Sequence, residues 1–179
     1  KRDCQIAKKG DVILQVEGSN KRILQVERTA LNVLARMSGV ATQTAEAVKI
    51  VKKFRVKVAL TRKTSPGFNL FDKKAAEISG ALPHRKDLSE MVLIKENHLR
   101  FFGSVKEALA AAKKKYERHP LKIEVEVTNV KEAVEAARGR PDFIMLDNFS
   151  VRKAKEAIRE IRKKNKSVKI ELSGGIRMG

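Results

Sequence analysis

The segment Met91-Val92-Leu93-Ile94-Lys95-Glu96-Asn97-His98 sets four aliphatic residues directly against a cation. A short continuous apolar run of this kind suits a strand of a parallel sheet, covered on both faces. A lysine at its end is costly to bury unpaired, so Lys95 reads as the point where the buried strand reaches an open mouth. Upstream, Val56–Leu60 reads as a strand ending on Thr61-Arg62-Lys63-Thr64, followed by a helix over Phe68–Ile78. Downstream, a helix over Ser104–Tyr116 opens on a Ser104 cap. Next come a strand over Ile123–Val127, a helix near Val130–Ala137 and a strand over Phe143–Leu146. A helix over Val151–Lys163 with Ser150 as cap leads to the last strand, Val168–Leu172.

Strands alternating with helices imply parallel βαβ units with right-handed crossovers, in an open sheet or a barrel. No Gly-x-Gly-x-x-Gly follows the first strand, and charged residues follow every strand instead of one switch point. Both features favour a barrel, whose mouth is built from strand C-termini. That places Lys63, Lys95, Glu126, Asp147 and Ser173 together. About five barrel strands are legible, too few to close a barrel of this type. The fold expected is therefore α/β, an open or incomplete parallel α/β barrel in a chain truncated at its C-terminal strands.

Nearer the N-terminus, residues 11–17 (Asp-Val-Ile-Leu-Gln-Val-Glu) read as a strand closing at Gly18-Ser19-Asn20, with sheet partners expected outside the chain. A helical stretch then runs from Arg22 to Phe54, with Leu24, Leu31, Leu34, Val48 and Val51 as apolar positions. Gly39 is expected to break it into two helices. No residue-level repeat or low-complexity segment interrupts the alternation.

The chain has 179 residues, of which 42% are hydrophobic, enough for one substantial domain and against general disorder. Aromatic residues make up 4% and tryptophan is absent, so the core rests on Val, Leu, Ile and Ala. No apolar run approaches a membrane span, and the start lacks the apolar stretch of a secretory signal. The single Cys4 reads as an inert thiol, suited to a reducing cytoplasm. The net charge of +19 invites a nucleic-acid reading. Much of it, however, lies on stretches such as Arg159-Glu160-Ile161-Arg162-Lys163-Lys164, interleaved with apolar residues at helical spacing. These read as solvated outer faces, and the scarcity of aromatic stacking residues also counts against nucleic acid. Lys-rich, Glu-containing helices suit a thermophile as well.

The chemistry-bearing motifs favour a polyanionic substrate. Thr61-Arg62-Lys63-Thr64 offers a planar fork for carboxylate, a point charge for phosphate and two hydroxyls, and Ser65-Pro66-Gly67 then turns the chain. His84-Arg85, stiffened by Pro83, can clamp a carboxylate while the imidazole donates a second hydrogen bond. Asn97 and His98 read as supports. Glu124 and Glu126 share a strand face by the period of two, and Glu171 is a further inward candidate. Such a layer needs cations, with Lys63 and Lys95 as partners; Glu124 and Glu171 alternatively form purely structural ion pairs. Glu126 and Asp147, nearest the strand ends, suit substrate hydroxyls or a Mg²⁺-bound ligand. Ser173-Gly174-Gly175 supplies bare backbone N–H groups for a phosphate. None of these residues looks like a covalent nucleophile.

Several ordered motifs resemble the quinolinate phosphoribosyltransferase family. They are Val26-Glu27-Arg28-Thr29-Ala30-Leu31-Asn32, Met37-Ser38-Gly39-Val40-Ala41-Thr42 and Thr61-Arg62-Lys63-Thr64-Ser65-Pro66-Gly67. Further on come His84-Arg85, Leu93 to His98, Glu124-Val125-Glu126-Val127, Met145-Leu146-Asp147-Asn148-Phe149 and Ser173-Gly174-Gly175. The resemblance implies that quinolinate and phosphoribosyl pyrophosphate react with Mg²⁺ to give nicotinate mononucleotide, pyrophosphate and CO₂, a step of NAD biosynthesis. It implies an N-terminal α/β sandwich, of which residues 1–21 would be a remnant, and an open barrel domain over residues 22–179. It also implies a homodimer or higher homo-oligomer in the cytoplasm, with no nucleic-acid or membrane partner.

By motif position, Arg28 would reach into the neighbouring subunit's site. Arg62, His84 and Arg85 would hold quinolinate's two carboxylates, and Thr61 would be a further substrate-binding residue. Lys63 and Lys95 would lie between quinolinate and the phosphates. Glu126 and Asp147 would contact ribose hydroxyls and Mg²⁺-pyrophosphate, and Ser173, Gly174 and Gly175 the 5′-phosphate. One departure stands out: the family's glycine run before His-Arg is here Ser79-Gly80-Ala81, which implies a stiffer loop. Alternatives are a nicotinate phosphoribosyltransferase of related fold, a basic nucleic-acid-binding domain, and an inactive fragment.

Overall fold

Small polar side chains fix where three of the helices start. Ser104 Oγ accepts from the Glu107 N–H at 3.1 Å, Asn129 Oδ1 from Glu132 at 2.9 Å and Ser150 Oγ from Lys153 at 3.4 Å. Each cap satisfies an otherwise orphaned backbone donor and is worth about 1 kcal/mol. The computed structural model describes residues 3–83, 90–119 and 121–178. The chain divides into two compact units, Lys1–Lys86 and Asp87–Gly179.

In the second unit, four strands form one parallel sheet in the order β1-β2-β3-β4: β1 (Met91–Ile94), β2 (Lys122–Val127), β3 (Phe143–Asp147) and β4 (Lys169–Ser173). Between them run α3 (Glu96–Phe102), α4 (Val105–Lys115), α5 (Val130–Gly139) and α6 (Val151–Lys164). Strand order following chain order, with helical crossovers, is the open parallel α/β arrangement expected from the alternation. One sheet face carries Ile123, Val125, Val127, Ile144 and Leu146, all buried against Leu109, Ala133, Ala136, Ala157 and Ile161 of the helices. Alanine on the helix faces lets the backbones approach closely, which is how a core without tryptophan still packs.

The opposite face is set by register. Leu93, Glu124, Phe143 and Lys169 form one row, and Glu126, Met145 and Glu171 the next. Asp147 and Ser173 end the array. Helix α3 falls where only a strand end and a loop were expected. It starts directly after Lys95, whose backbone N–H donates to His98 Nδ1 at 3.0 Å, and it stops at Gly103 in the left-handed region (φ 82°). His98 thus caps the start of α3 through its ring nitrogen, within a helix that was not expected.

In the first unit, α1 (Asn20–Lys52) and α2 (Asn69–Ile78) pack together. Helix α1 is one continuous element of 33 residues, which corrects the expected break at Gly39. An interior glycine costs about 1 kcal/mol relative to alanine, too little by itself to stop a helix that is already propagating. Residues 11–17 are exposed and belong to no strand among the described residues, against expectation. Alternating apolar residues make a strand only where a neighbouring edge can pair with them. Val56–Leu60 is likewise reduced to a single parallel bridge, Ala59 to Leu82, with the Leu60 N–H on the Leu82 carbonyl at 3.1 Å.

Candidate active site

Parallel strands bring their C-terminal ends to one edge of the sheet, and in the second unit that edge collects the predicted residues. Lys95 follows Ile94 in extended backbone (φ −116°, ψ 170°), one step beyond the Ile94–Val125 register and so beside the Glu126 position. Lys95 is exposed and Glu126 half-buried. Asp147 closes β3 and is paired in register with Ser173, which closes β4. Adjacent strands lie about 4.8 Å apart, so Glu126 and Glu171, one strand removed from each other, are separated by roughly 10 Å. Met145 of β3 stands between them in the same row. Glu124 lies a row deeper and is fully buried, so Glu126 is the carboxylate of β2 that solutes can meet.

Asn148 joins the ends of β3 and β4. Its backbone is left-handed (φ 55°), its Nδ2 donates to Asp147 Oδ2 at 2.8 Å, and its N–H donates to the Ser173 carbonyl at 2.8 Å. Gly174 is left-handed as well (φ 80°), and a Cβ placed there would lie 2.6 Å from Asn148 Cγ and 3.0 Å from its backbone nitrogen. Only glycine fits. The carboxylate of Asp147 and the amides following Ser173 are thus held in one corner, the first suited to a hydroxyl or a metal-bound ligand and the second to an anion. Asn148 entered the sequence analysis only inside a motif, with no role of its own; the signal available was an asparagine, a residue tolerant of left-handed backbone, directly after a strand-end carboxylate.

In the first unit, Arg28 is an exposed residue of α1, and Thr61, Arg62 and Lys63 are exposed in the loop before α2. Thr61 Oγ1 accepts from the Lys63 N–H at 3.1 Å, so the hydroxyl shapes the backbone that presents the cation. Ser65-Pro66-Gly67-Phe68 is a turn closed by the Phe68 N–H on the Ser65 carbonyl at 3.0 Å, with Gly67 at φ 76°. The turn expected at Ser65-Pro66-Gly67 is there, and proline second with left-handed glycine third is the composition of type II. His84 and Arg85 lie outside the described residues.

The first unit also holds an ion pair that sequence reading did not find. Arg36 donates to Asp72 through Nε at 2.7 Å and Nη2 at 2.6 Å. The bonds from Arg36 hold the Asp72 carboxyl below its ordinary range, against the upward pull of burial. An apolar groove of about 530 Å³, lined by residues including Val26, Val33, Met37 and Phe71, also lies in this unit. Its lining contains no ionisable side chain, so it is not the site for a polyanion. Among the described residues, no group of three or more His, Cys, Asp or Glu could hold a metal ion by itself.

The family description "Quinolinate phosphoribosyl transferase, C-terminal domain" matches residues 40–178, and its N-terminal counterpart matches residues 1–38. A probable nicotinate-nucleotide pyrophosphorylase (carboxylating) of Archaeoglobus fulgidus is 42% identical over 180 residues, covering 98% of this chain and 68% of that protein. The Methanocaldococcus jannaschii counterpart is 47% identical over 171 residues, covering 92% of this chain and 60% of that protein. The human nicotinate-nucleotide pyrophosphorylase (carboxylating) is 39% identical over 166 residues, covering 92% of this chain and 56% of that protein. The crystal structure of NadC from Streptococcus pyogenes superposes with a TM-score of 0.84 at 40% identity, over 94% of this chain and 57% of that one. Against these relatives, the chain spans between 56% and 68% of their length.

Proposed function

Since the chain belongs to the quinolinate phosphoribosyltransferase family, we propose that the protein carrying it transfers phosphoribosyl from phosphoribosyl pyrophosphate to quinolinate with loss of CO₂. The products are nicotinate mononucleotide, pyrophosphate and CO₂, a step of NAD biosynthesis. The observation that carries this reading is the shared sheet edge where Lys95, Glu126, Asp147 and the Ser173-Gly174 corner end neighbouring parallel strands. Family membership supplies the substrate; the edge supplies groups for a sugar with phosphates at both ends.

The pyridine nitrogen of quinolinate attacks the anomeric carbon as the bond to pyrophosphate breaks, through a ribose with oxocarbenium character. Glu126 and Asp147 bind the ribose hydroxyls and stabilise that positive charge, while Lys63 and Lys95 offset the charge departing on pyrophosphate. The ring nitrogen becomes cationic on ribosylation. The adjacent C–C bond can then break to release CO₂, its electron pair remaining on the ring carbon until a proton takes it. Arg62, His84 and Arg85 hold the two carboxylates, and Thr61 shapes the loop beside them. Ser173, Gly174 and Gly175 take the 5′-phosphate, and Arg28 completes the site of a second subunit in a homodimer or higher homo-oligomer.

Mg²⁺ belongs to this reading as an ion brought by the pyrophosphate. Magnesium retains waters and is bound by one or two carboxylates plus substrate phosphates, without an all-protein cage. Glu126 and Asp147 suit that role, and the described residues offer no three-ligand cluster as an alternative. No described helix is long and apolar enough to cross a membrane, and a cytoplasmic location fits the chemistry of NAD synthesis.

The test is an assay of the full-length protein with phosphoribosyl pyrophosphate, Mg²⁺ and either quinolinate or nicotinate, following CO₂ and nicotinate mononucleotide. CO₂ and mononucleotide should appear in equal amounts from quinolinate, with nicotinate a poor substrate. Faster conversion of nicotinate would assign the protein to the monoacid reaction instead.

A further inference from the structure

Asn148 stands between the groups that end β3 and β4. Its backbone is left-handed (φ 55°), and its N–H donates to the Ser173 carbonyl at 2.8 Å. A turn of that shape alone is served best by glycine, which enters the left-handed region without steric cost. What asparagine adds is a side-chain amide, and both of its ends are placed. Nδ2 donates to Asp147 Oδ2 at 2.8 Å, and Oδ1 is the atom nearest to where a Cβ on Gly174 would stand. The amide therefore lies between a half-buried carboxylate and the turn of Gly174 and Gly175, both left-handed (φ 80° and 63°). Its orientation is fixed by chemistry, since a flipped amide would set oxygen against oxygen.

We propose that Asn148 is a positioning residue that makes the site specific for a pentose carrying a 5′-phosphate. It holds Asp147 in one place beside the Ser173-Gly174-Gly175 corner and screens that corner from the carboxylate's charge. This rests on the reaction proposed above. The bond to Oδ2 leaves Oδ1 for a ribose hydroxyl or a metal-bound water, and it fixes where that oxygen points. Asp147 and Ser173 are paired in register on adjacent strands, which lie about 4.8 Å apart. At that range an unscreened carboxylate opposes a phosphate in the corner. With the amide in place, one rigid unit binds the phosphate and the hydroxyls, so each ligand group gains from the other. An asparagine that only shaped the turn would act through its backbone and leave that linkage untouched.

Asn148→Gly in the full-length protein separates the two roles. Glycine keeps the left-handed backbone and the N–H to the Ser173 carbonyl, so the thermal midpoint should stay close to wild type. Titration calorimetry is then run with nicotinate mononucleotide and with nicotinate riboside, the same molecule without its phosphate. Relative to wild type, the variant should weaken the nucleotide about tenfold more than the riboside, a coupling ordinary for groups within one network. Equal weakening of both ligands, or none, would overturn the proposal. A crystal structure of the unliganded variant gives a second reading. The Asp147 carboxylate should leave its place while β3, β4 and the glycine turn stay as they are; an unmoved carboxylate overturns the positioning role. That structure needs no substrate. It stays decisive for Asn148 even if wild-type protein neither binds the nucleotide nor releases CO₂ from quinolinate, results that would defeat the proposed reaction itself.

Discussion

The backbone N–H of Asn148 donates to the carbonyl of Ser173 at 2.8 Å, tying the end of β3 to the end of β4 just before the glycine turn. The same asparagine holds Asp147 through its side-chain amide, so the carboxylate and the glycine amides share one support. Gly174 packs so close to Asn148 that a Cβ has no room, and its backbone is left-handed. Gly174→Ala is therefore expected to displace both Asp147 and the Ser173 amide. The left-handed conformation alone costs a non-glycine residue about 1–2 kcal/mol. KM for phosphoribosyl pyrophosphate should rise at least about tenfold, while far-UV circular dichroism stays native. An unchanged KM would show that the corner does not bind that substrate.

Lys95→Ala separates the side chain from the backbone. The Lys95 N–H that caps α3 through His98 survives the substitution, so the helix start and the strand before it should persist. Turnover should fall close to zero while the thermal midpoint stays within a few degrees of wild type, since the side chain is exposed. Normal turnover in this variant would remove Lys95 from the mechanism.

The elements most legible in the sequence were those decided by neighbours along the chain. Met91–Ile94 was read at its observed bounds, and the Ser104 and Ser150 caps were placed correctly because a cap is a local bond between residues three apart. Asp147 and Ser173 were expected at strand ends and lie there, paired in register. What failed was decided elsewhere. Residues 11–17 have the alternation of a strand, but no described strand pairs with them, and the cost of one interior glycine at Gly39 was too small to interrupt a 33-residue helix. Helix α3 was hidden because Lys95-Glu96-Asn97-His98 was read for its charges, although an acidic residue in the first turn is itself a helix-start signal. The Arg36–Asp72 pair joins residues 36 apart, and no local pattern announces it.

Leu146 lies at the centre of the sheet face that packs on the helices and is fully buried. Leu146→Ala should destabilise the protein by about 2–5 kcal/mol, the range for a large-to-small change in a core that cannot collapse to fill the space. Urea denaturation should show a lower midpoint with a similar slope. Activity measured well below that midpoint should stay near wild type, because Leu146 points away from the face bearing Glu126 and Met145.

Acid stability supplies a further check on Asp72. Arg36 lowers its carboxyl from the ordinary aspartate value of 3.8 in the folded state. A depressed folded pKa means that the unfolded chain binds the proton first on acidification. The stabilisation is thus fully present above the ordinary value and is lost as pH falls toward and through the depressed one. Asp72→Asn should be less stable than wild type at neutral pH, and the gap should narrow as pH drops below about 4, where the unfolded wild-type aspartate takes up its proton. Chemical denaturation of both proteins between pH 7 and the acid limit of folding measures that difference directly. A gap that stays constant across the range would mean that the Arg36 bond does not depress the Asp72 carboxyl, and a gap that widens toward acid would reverse the sign of the linkage.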